Sequence, residues 1–327
     1  MASEIADATA ELTRRDRIDH FQARMGYRRM QHKVEPGLYR IGSPDRTSPV
    51  LVSANYTLSF DALRTSLKGI DAYILVIDTN GINVWCAAGK GTFGTQEVVR
   101  RVRGTGLAEA VDHRRLILPQ LGAPGVAAHE VKRQTGFTVE YGPVRASDLP
   151  EYLRTGKAYL QMREVTFPLR DRAVLVPVEV VQSLKYLVPA MALLFLVGGL
   201  VPALIALVAV LGGTVLFPLL LPFLPTRDFS SKGLVLGGLL SLPFACLNAV
   251  ERSGDPLWAL IAYGIGIALP VAAAVGYFGL NFTGCSTYTS RTGVRKEIFR
   301  WIPVMVAMII IGAAIMTIAI GNQLGWF

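Results

Sequence analysis

The sequence predicts a mainly parallel α/β domain in roughly the first half of the chain, followed by an all-α transmembrane domain of about five helices. Strand-like and helix-like segments alternate through the first half, as in a parallel sheet covered on both sides. Only 17% of the 327 residues are charged, against about a quarter in soluble domains. Charged residues are absent from four long runs, at 186–226, 233–250, 256–290 and 301–327.

The α/β half is predicted from short apolar runs separated by helical patterns. Strands are expected at 49–54, 72–78, 115–119 and 137–142, and helices at 58–69, 94–106, 127–136 and 147–156. The run at 72–78 is apolar throughout, as in a strand buried on both faces. Gly69 is expected to end the first of these helices, and Ser147 to N-cap the last. Residues 1–36 are polar and are predicted to form a helical arm.

The membrane half can be divided by the length that one span requires, about 20 apolar residues. Residues 186–225 fit two spans, broken near Gly198–Pro202 or Gly212–Gly213, and further spans are expected near 233–250, 257–279 and 301–322. With five spans, the basic loops at 226–232 and 280–300 lie on the same side as the first half, as the positive-inside rule requires. Residues 166–185 are expected to form a juxtamembrane linker to a transmembrane domain at 186–327.

The N-terminus lacks the charged-then-apolar pattern of a signal peptide. We therefore expect a multi-pass protein of the inner (cytoplasmic) membrane, with its N-terminal domain in the cytoplasm and its C-terminus outside. The net charge of +9 is attributed to topology and to contact with anionic membrane lipid. Nucleic-acid binding is not expected, because the first half has no basic stripe interleaved with aromatic residues.

Three cysteines are too few and too scattered for a disulfide framework or a four-cysteine iron–sulfur site: Cys86, Cys246 and Cys285. If the chemistry needs electrons, another protein must bring them. Cys246 is expected to pack within a span, and no role is expected for Cys285.

The segment 78–94 follows the predicted strand at 72–78, where ligands bind in parallel sheets. Asn83 can N-cap a short helix and Gly89 can end it, which places Cys86 at the third helical position. The positive end of the helix would favour the Cys86 thiolate. The small residues that follow Cys86 would let a flat ligand approach closely.

Other interpretations of this segment remain open. A lone cysteine is most often a small buried hydrophobe. Gly89-Lys-Gly-Thr-Phe-Gly94 matches the dinucleotide fingerprint, but it does not open the first βα unit, and the acidic residue expected about 20 positions on is at best Glu109 or Asp112. A phosphate-binding P-loop fails, because Gly91 follows Lys90 and position 84 is Val.

The motif Asn83-Val-Trp-Cys-Ala-Ala-Gly-Lys90 resembles the signature of the mercury-methylating corrinoid proteins. The resemblance extends to Ser53–Asp61, to Gly91–Thr95 and to a membrane half containing 281–289. The first half is also similar to the corrinoid domain of the large subunit of the corrinoid iron–sulfur protein of the acetyl-CoA pathway, which lacks this cysteine and has no membrane half. The resemblance implies a Rossmann-like, cytoplasmic corrinoid-binding domain at 37–165.

The resemblance also implies a corrinoid-dependent methyltransferase. Cobalamin would bind base-off, with Cys86 as the lower axial ligand of its cobalt and the catalytic residue. A methylated-folate methyltransferase would supply the methyl group, which would pass to Hg(II) and give methylmercury. A ferredoxin-like iron–sulfur protein would act as reductant and possible mercury donor. None of the four histidines lies in the histidine-on corrinoid motif Asp-x-His-x-x-Gly.

Further residues are predicted to contact the cofactor. For each of them the alternative is a structural role, in packing or in a loop. Ser53, Asn55 and Tyr56 could meet the corrin edge, and the loop 118–126, through Gln120 and Gly122, could line a pocket for the detached nucleotide tail. The remaining candidates surround Cys86: Asn83, Trp85, Ala87, Gly89, Lys90, Thr92 and Phe93.

Two other functions remain as alternatives. The first is a corrinoid methyl carrier that serves a different acceptor in one-carbon metabolism. The second is a transporter with a cytoplasmic nucleotide-sensing domain. Transport is disfavoured because the predicted spans contain no Asp, Glu, Lys or Arg.

Overall fold

The computed structural model describes residues 5–285, 291–324 and 326. The chain forms two compact units, unit 1 (Met1–Thr166) and unit 2 (Phe167–Phe327). The motif expected at 281–289 lies partly outside the described residues.

Unit 1 is built on a six-stranded sheet of order β1-β2-β4-β3-β5-β6. All neighbouring strands are parallel except β2 and β4, which are antiparallel. The mainly parallel sheet is therefore confirmed. Every residue of β3 and β4 is buried. The strands are β1 Ala6–Ala8, β2 Gly37–Ile41, β3 Val50–Ala54, β4 Ala72–Ile77, β5 Arg115–Leu118 and β6 Thr138–Tyr141.

The helices of unit 1 connect and cover these strands. They are α1 Arg14–Arg24, α2 Thr57–Ser66, α3 Val84–Lys90, α4 Thr95–Gly104, α5 Leu107–Ala110, α6 Ala128–Thr135, α7 Leu149–Thr155 and α8 Leu160–Arg163, with 3₁₀ turns at Gln120–Gly125 and Ala146–Asp148.

Two predicted helix ends are wrong. Helix α2 ends at Ser66, and Gly69 has a φ of +78° in the turn that follows. Ser147 is not an N-cap, because the 3₁₀ turn Ala146–Asp148 runs directly into α7 and Asp148 already has helical backbone angles. The Ser147 hydroxyl instead lies 3.3 Å from the Asp148 carboxylate.

The polar arm expected at 1–36 is helical only in part, because β1 adds a strand to the sheet. Arg64, 6% exposed, fixes the connection between β1 and α1. Its guanidinium donates to the carbonyl oxygens of Thr9 (2.6 Å) and Glu11 (2.8 Å) and to the Asp16 carboxylate (2.8 Å). A buried guanidinium needs several such partners, so residues 9–16 are held against α2.

In the described part of unit 2 (residues 167–285, 291–324 and 326), five helices are long and apolar enough to cross a membrane, as predicted. Gly199, with a φ of +79°, separates the first two, which confirms the break near Gly198–Pro202. The first candidate span begins at Leu169, so most of the expected linker at 166–185 is helical. The helices are α9 Leu169–Ala173, α10 Val176–Gly198, α11 Leu200–Leu211, α12 Phe217–Leu220, α13 Phe229–Glu251, α14 Leu257–Phe282 and α15 Arg291–Gln323, with a π turn at Gly212–Leu216.

Glycines allow α13 and α14 to approach closely. A Cβ on Gly237 would lie 2.7 Å from the Cα of Ala272, and a Cβ on Gly233 would lie 2.6 Å from the Val275 carbonyl oxygen. Small residues at such crossings are typical of helices that pack within membranes.

We expect Gly237→Ala to lower the thermal stability of the detergent-solubilised chain, because the backbone of α14 must move away from the new methyl group. The cost should be about 1–3 kcal/mol, as for other overpacked sites. Gly238→Ala is the matched control: it lies on the same helix, with nothing within 4 Å of its Cβ position. Equal melting temperatures for the two variants would contradict this packing.

Candidate functional site

The loop 78–82 at the carboxyl end of β4 is organised by Asn55, which follows β3 and is 2% exposed. Its Oδ1 accepts hydrogen bonds from the Thr79 N–H (2.9 Å), the Thr79 hydroxyl (2.9 Å) and the Gly81 N–H (3.0 Å). Its Nδ2 donates to the Asp78 carboxylate at 3.1 Å. One amide therefore ties two neighbouring strand ends together.

The loop leads directly into α3, the cap helix. Asn83 is its N-cap, and the Asn83 Oδ1 accepts from the Cys86 N–H at 2.9 Å. Cys86 is the third helical residue, as predicted. The helix does not end at Gly89 as predicted: its C-cap is Gly91, with a φ of +83°. Gly91 adopts the left-handed conformation that ends helices, while Gly89 remains helical.

The two faces of the cap helix differ. Ala87 and Phe93 are fully buried, so their side chains pack in the core of unit 1. Cys86 is partly exposed, and Gly89, one turn later, is exposed with nothing within 4 Å of its Cβ position. This outer face carries one thiol and, at Gly89, no side chain, which suits a ligand that approaches closely and whose metal takes one sulfur donor. Trp85 and Thr92 are partly exposed and Lys90 is exposed.

The 3₁₀ turn Gln120–Gly125 packs against the inner side of the cap helix. A Cβ on Gly125 would lie 3.1 Å from the Cα of Ala88, and one on Gly122 would lie 2.5 Å from the Phe93 ring. Gly122 is buried, so it supports the cap helix. Gln120 is partly exposed, and its Oε1 accepts from the Arg163 guanidinium at 2.7 Å.

The candidates after β3 also separate by burial. Ser53 and Asn55 are each 2% exposed, and the Ser53 hydroxyl donates to the Ala54 carbonyl oxygen at 3.1 Å. We therefore assign Asn55 a positioning role. Tyr56 is partly exposed, so its predicted contact with a corrin edge stays a prediction.

The glycine pattern at 89–94 has a structural explanation. Gly91 ends α3 and Gly94 is the N-cap residue of α4. A Cβ on Gly94 would lie 2.6 Å from the Gly91 carbonyl oxygen, so the turn between the two helices requires a glycine there.

Sequence reasoning missed two acidic residues that support the loop. The Asp78 N–H donates to the Glu97 carboxylate at 2.9 Å, and the Asp78 carboxylate accepts from the Asn80 N–H at 2.9 Å. The series Asp-Thr-Asn-Gly after a buried strand is a turn signal that could have indicated Asp78. Glu97 could not be found this way, because it comes from α4.

The described residues contain no group of three or more His, Cys, Asp and Glu side chains that could hold a metal ion. A metal at Cys86 would therefore have to arrive with most of its ligands already in a cofactor. A corrinoid meets this condition, and the partly exposed Cys86 with the open space at Gly89 is compatible with it.

We expect Asn55→Ala to loosen the cap helix, because the buried donors of Thr79 and Gly81 lose their acceptor. The loss should be about 2–3 kcal/mol, or roughly 100-fold in hydrogen-exchange protection of residues 79–86. We also expect faster reaction of Cys86 with a thiol reagent when Asn55→Ala is made in a Cys246→Ser, Cys285→Ser background. The comparison is with the same background in which Asn55 is intact.

The matched control exchanges the partners, with Asn55→Asp and Asp78→Asn made together. The exchange keeps the charge, the acceptor for the loop and the hydrogen bond between the two side chains. The exchange should restore hydrogen-exchange protection of residues 79–86. Asn55→Asp alone should not, because two negatively charged carboxylates would then repel each other. If Asn55→Ala is as well protected as the wild type, Asn55 does not position the helix.

Comparison with known proteins finds similarity over this same part of the chain. Residues 27–153 match a family model described as the CO dehydrogenase/acetyl-CoA synthase delta subunit. The acetyl-CoA decarbonylase/synthase complex subunit gamma of Methanopyrus kandleri is 39% identical over 127 residues, 38% of this chain and 27% of the relative. The same subunit of Methanothermobacter thermautotrophicus is 35% identical over 127 residues, again 38% and 27%.

The corrinoid/iron-sulfur protein large subunit of Moorella thermoacetica is 30% identical over 128 residues, 38% of this chain and 28% of the relative. The chain thus spans about a quarter of the length of these curated relatives. The matched segment runs from the end of α1 to α7 and includes the whole cap helix. Over this segment the chain is similar to subunits named for acetyl-CoA decarbonylase/synthase and for the corrinoid/iron-sulfur protein.

Proposed function

We propose that the chain is a membrane-anchored corrinoid protein that carries a methyl group in one-carbon metabolism. One observation carries this proposal: the segment that matches the family model, 27–153, contains the sheet edge and the helix on which Cys86 lies. The named relatives belong to acetyl-CoA and corrinoid complexes, which supports a methyl carrier over a transporter.

Unit 1 would act as a Rossmann-like corrinoid-binding domain. A bound corrinoid supplies the cobalt centre that takes up and gives away the methyl group. Cys86 would provide the lower axial sulfur, with the cofactor's own base detached. Asn83 and Asn55 would hold that sulfur in place, and the bare surface at Gly89 would admit the ring.

The partners and the location follow from the same proposal. A methylated-folate methyltransferase would supply the methyl group. Electrons would come from a separate iron–sulfur protein, since the described residues hold no cysteine cluster. The five apolar helices would anchor the chain in the inner membrane, with unit 1 in the cytoplasm and the C-terminus outside.

Methyl transfer to Hg(II) is the second candidate, and Cys86 is the observation that favours it. Mercury(II) is an electrophile, so the methyl group must leave with its electron pair. A thiolate donor would make the metal centre of a bound cofactor more electron-rich, as it does for haem iron. The partly exposed Cys86 on the outer face of the cap helix would suit this role. The names of the relatives do not mention mercury.

We expect the full-length wild type to bind cobalamin with a base-off, sulfur-ligated absorption spectrum. Cys86→Ala should lose that spectrum and most of the methyl transfer, because the axial donor is gone. Cys246→Ala, an exposed cysteine of α13, is the control and should behave as the wild type.

The methyl-loaded protein is then offered two acceptors in separate reactions. One is a Hg(II) salt, and the other is a purified acetyl-CoA synthase with CO and CoA. Acetyl-CoA formation would support the carrier, and methylmercury would support the second candidate. Failure of the wild type to bind cobalamin would refute both, and transfer that survives Cys86→Ala would refute the axial role.

A further inference from the structure

An exposed apolar patch lies on and after helix α1. Six large apolar side chains in the described part of unit 1 (residues 5–166) are more than a third exposed. Four of them fall within one stretch of the chain: Ile18 (58%), Phe21 (64%), Tyr27 (52%) and Met30 (56%). Exposed apolar groups clustered in this way usually mark an interaction site.

Basic residues accompany this patch along the chain, so the first half does contain a basic stretch interleaved with aromatic residues, contrary to the expectation from sequence. Between residues 14 and 33 there are seven basic and two acidic residues. Both carboxylates point to partners inside unit 1, since Asp16 contacts Arg64 and Asp19 contacts His32. The basic residues are all exposed. We call the four apolar residues and these seven the α1 surface: Arg14, Arg15, Arg17, Arg24, Arg28, Arg29 and Lys33.

The α1 surface borders the candidate site. Lys33 forms an isolated β-bridge with Tyr56, at the end of β3. The carbons of its side chain lie within about 3 Å of the position that a Cβ on Gly81 would occupy. Burial raises the pKa of Tyr56, and the nearby charges of Arg29 and Arg24 oppose that rise. The surface therefore reaches the loop that carries the cap helix.

We propose that the α1 surface docks a small protein with an acidic face, which delivers electrons to the corrinoid held at Cys86. This inference rests on the proposed function. In each encounter one electron leaves the donor's iron–sulfur cluster, which is oxidised, and enters the corrinoid, which is reduced; no group is transferred. Weak electron-transfer complexes use small interfaces and long-range attraction between opposite charges, which a basic rim around a few apolar side chains provides.

An anionic bilayer is the rival occupant. Two observations favour a protein. Six of the seven basic residues are arginines, and the apolar members include Phe, Tyr and Met, a composition enriched in protein interfaces. The surface also adjoins the loop before the cap helix, where an electron donor has to come close and a bilayer does not.

The test uses the full chain in nanodiscs of phosphatidylcholine, which has no net charge, and a purified bacterial two-cluster ferredoxin as probe. We expect binding that weakens by about tenfold as ionic strength rises several-fold, because screening shortens the reach of the charges. Arg24→Glu with Arg29→Glu should bind at least about tenfold more weakly and lose the salt dependence. Phe21→Ser should weaken binding without changing the salt dependence.

The matched control is Lys132→Glu with Lys157→Glu, two exposed lysines whose reversal changes the net charge equally. Lys132 lies on α6, which packs against β6 at the opposite edge of the sheet from β1. This control should bind as the wild type does. In cobalamin-loaded protein, the reversal at Arg24 and Arg29 should slow reduction by ferredoxin while leaving reduction by titanium(III) citrate unchanged.

Three results would overturn the proposal: absence of ferredoxin binding, equal loss in the control and the α1 variant, or slowed reduction by both reductants. Protection of residues 14–29 from trypsin by phosphatidylglycerol nanodiscs, without ferredoxin binding, would assign the surface to the bilayer instead. If ferredoxin binding behaves as expected but no cobalamin binds, docking stands and the proposed function fails.

Discussion

The buried amide of Asn55 connects the carboxyl ends of β3 and β4 and organises the loop that precedes the helix of Cys86. Asn55 holds the loop 78–82, in which Asn80 and Gly81 both have positive φ, at 59° and 72°. Glycine adopts this conformation freely and asparagine tolerates it, so the two residues suit a tight loop. Because the loop leads to Asn83, the N-cap that also bonds the Cys86 amide, the hydrogen bonds of Asn55 help to place the start of the cap helix.

Local signals predicted the parts of this site that depend on neighbours in sequence. The N-cap at Asn83 and the third helical position of Cys86 follow from capping chemistry within four residues. The burial of Ala88 and Phe93 could not be predicted, because the turn Gln120–Gly125 that packs against them comes from another part of the chain. The choice between Gly89 and Gly91 as helix end has a local cause: both are glycines, and the tight turn from Gly91 to Gly94 selects Gly91.

The same division holds for the fold. Strands β3 to β6 were predicted because they are continuous apolar or β-rich runs. Strand β1 has only three residues, and β2, Gly-Leu-Tyr-Arg-Ile, is as long as β3 but is not a continuous apolar run. In unit 2, the absence of charge gave the number of helices. The absence of charge does not show how α13 and α14 approach each other, because the glycines at their contact are uncharged like the residues around them.

The electron supply bears on which acceptor the protein serves. If a methyl group leaves as a cation, its electron pair stays with the carrier, and electrons are needed only to repair occasional oxidation. If it leaves as a carbanion, as Hg(II) requires, the pair departs and two electrons must be returned in every cycle. A docking surface beside the site would then be used at each turnover. How often the proposed docking surface is used therefore differs between the two proposed acceptors: at each turnover for Hg(II), and only after occasional oxidation for an acceptor that takes a methyl cation.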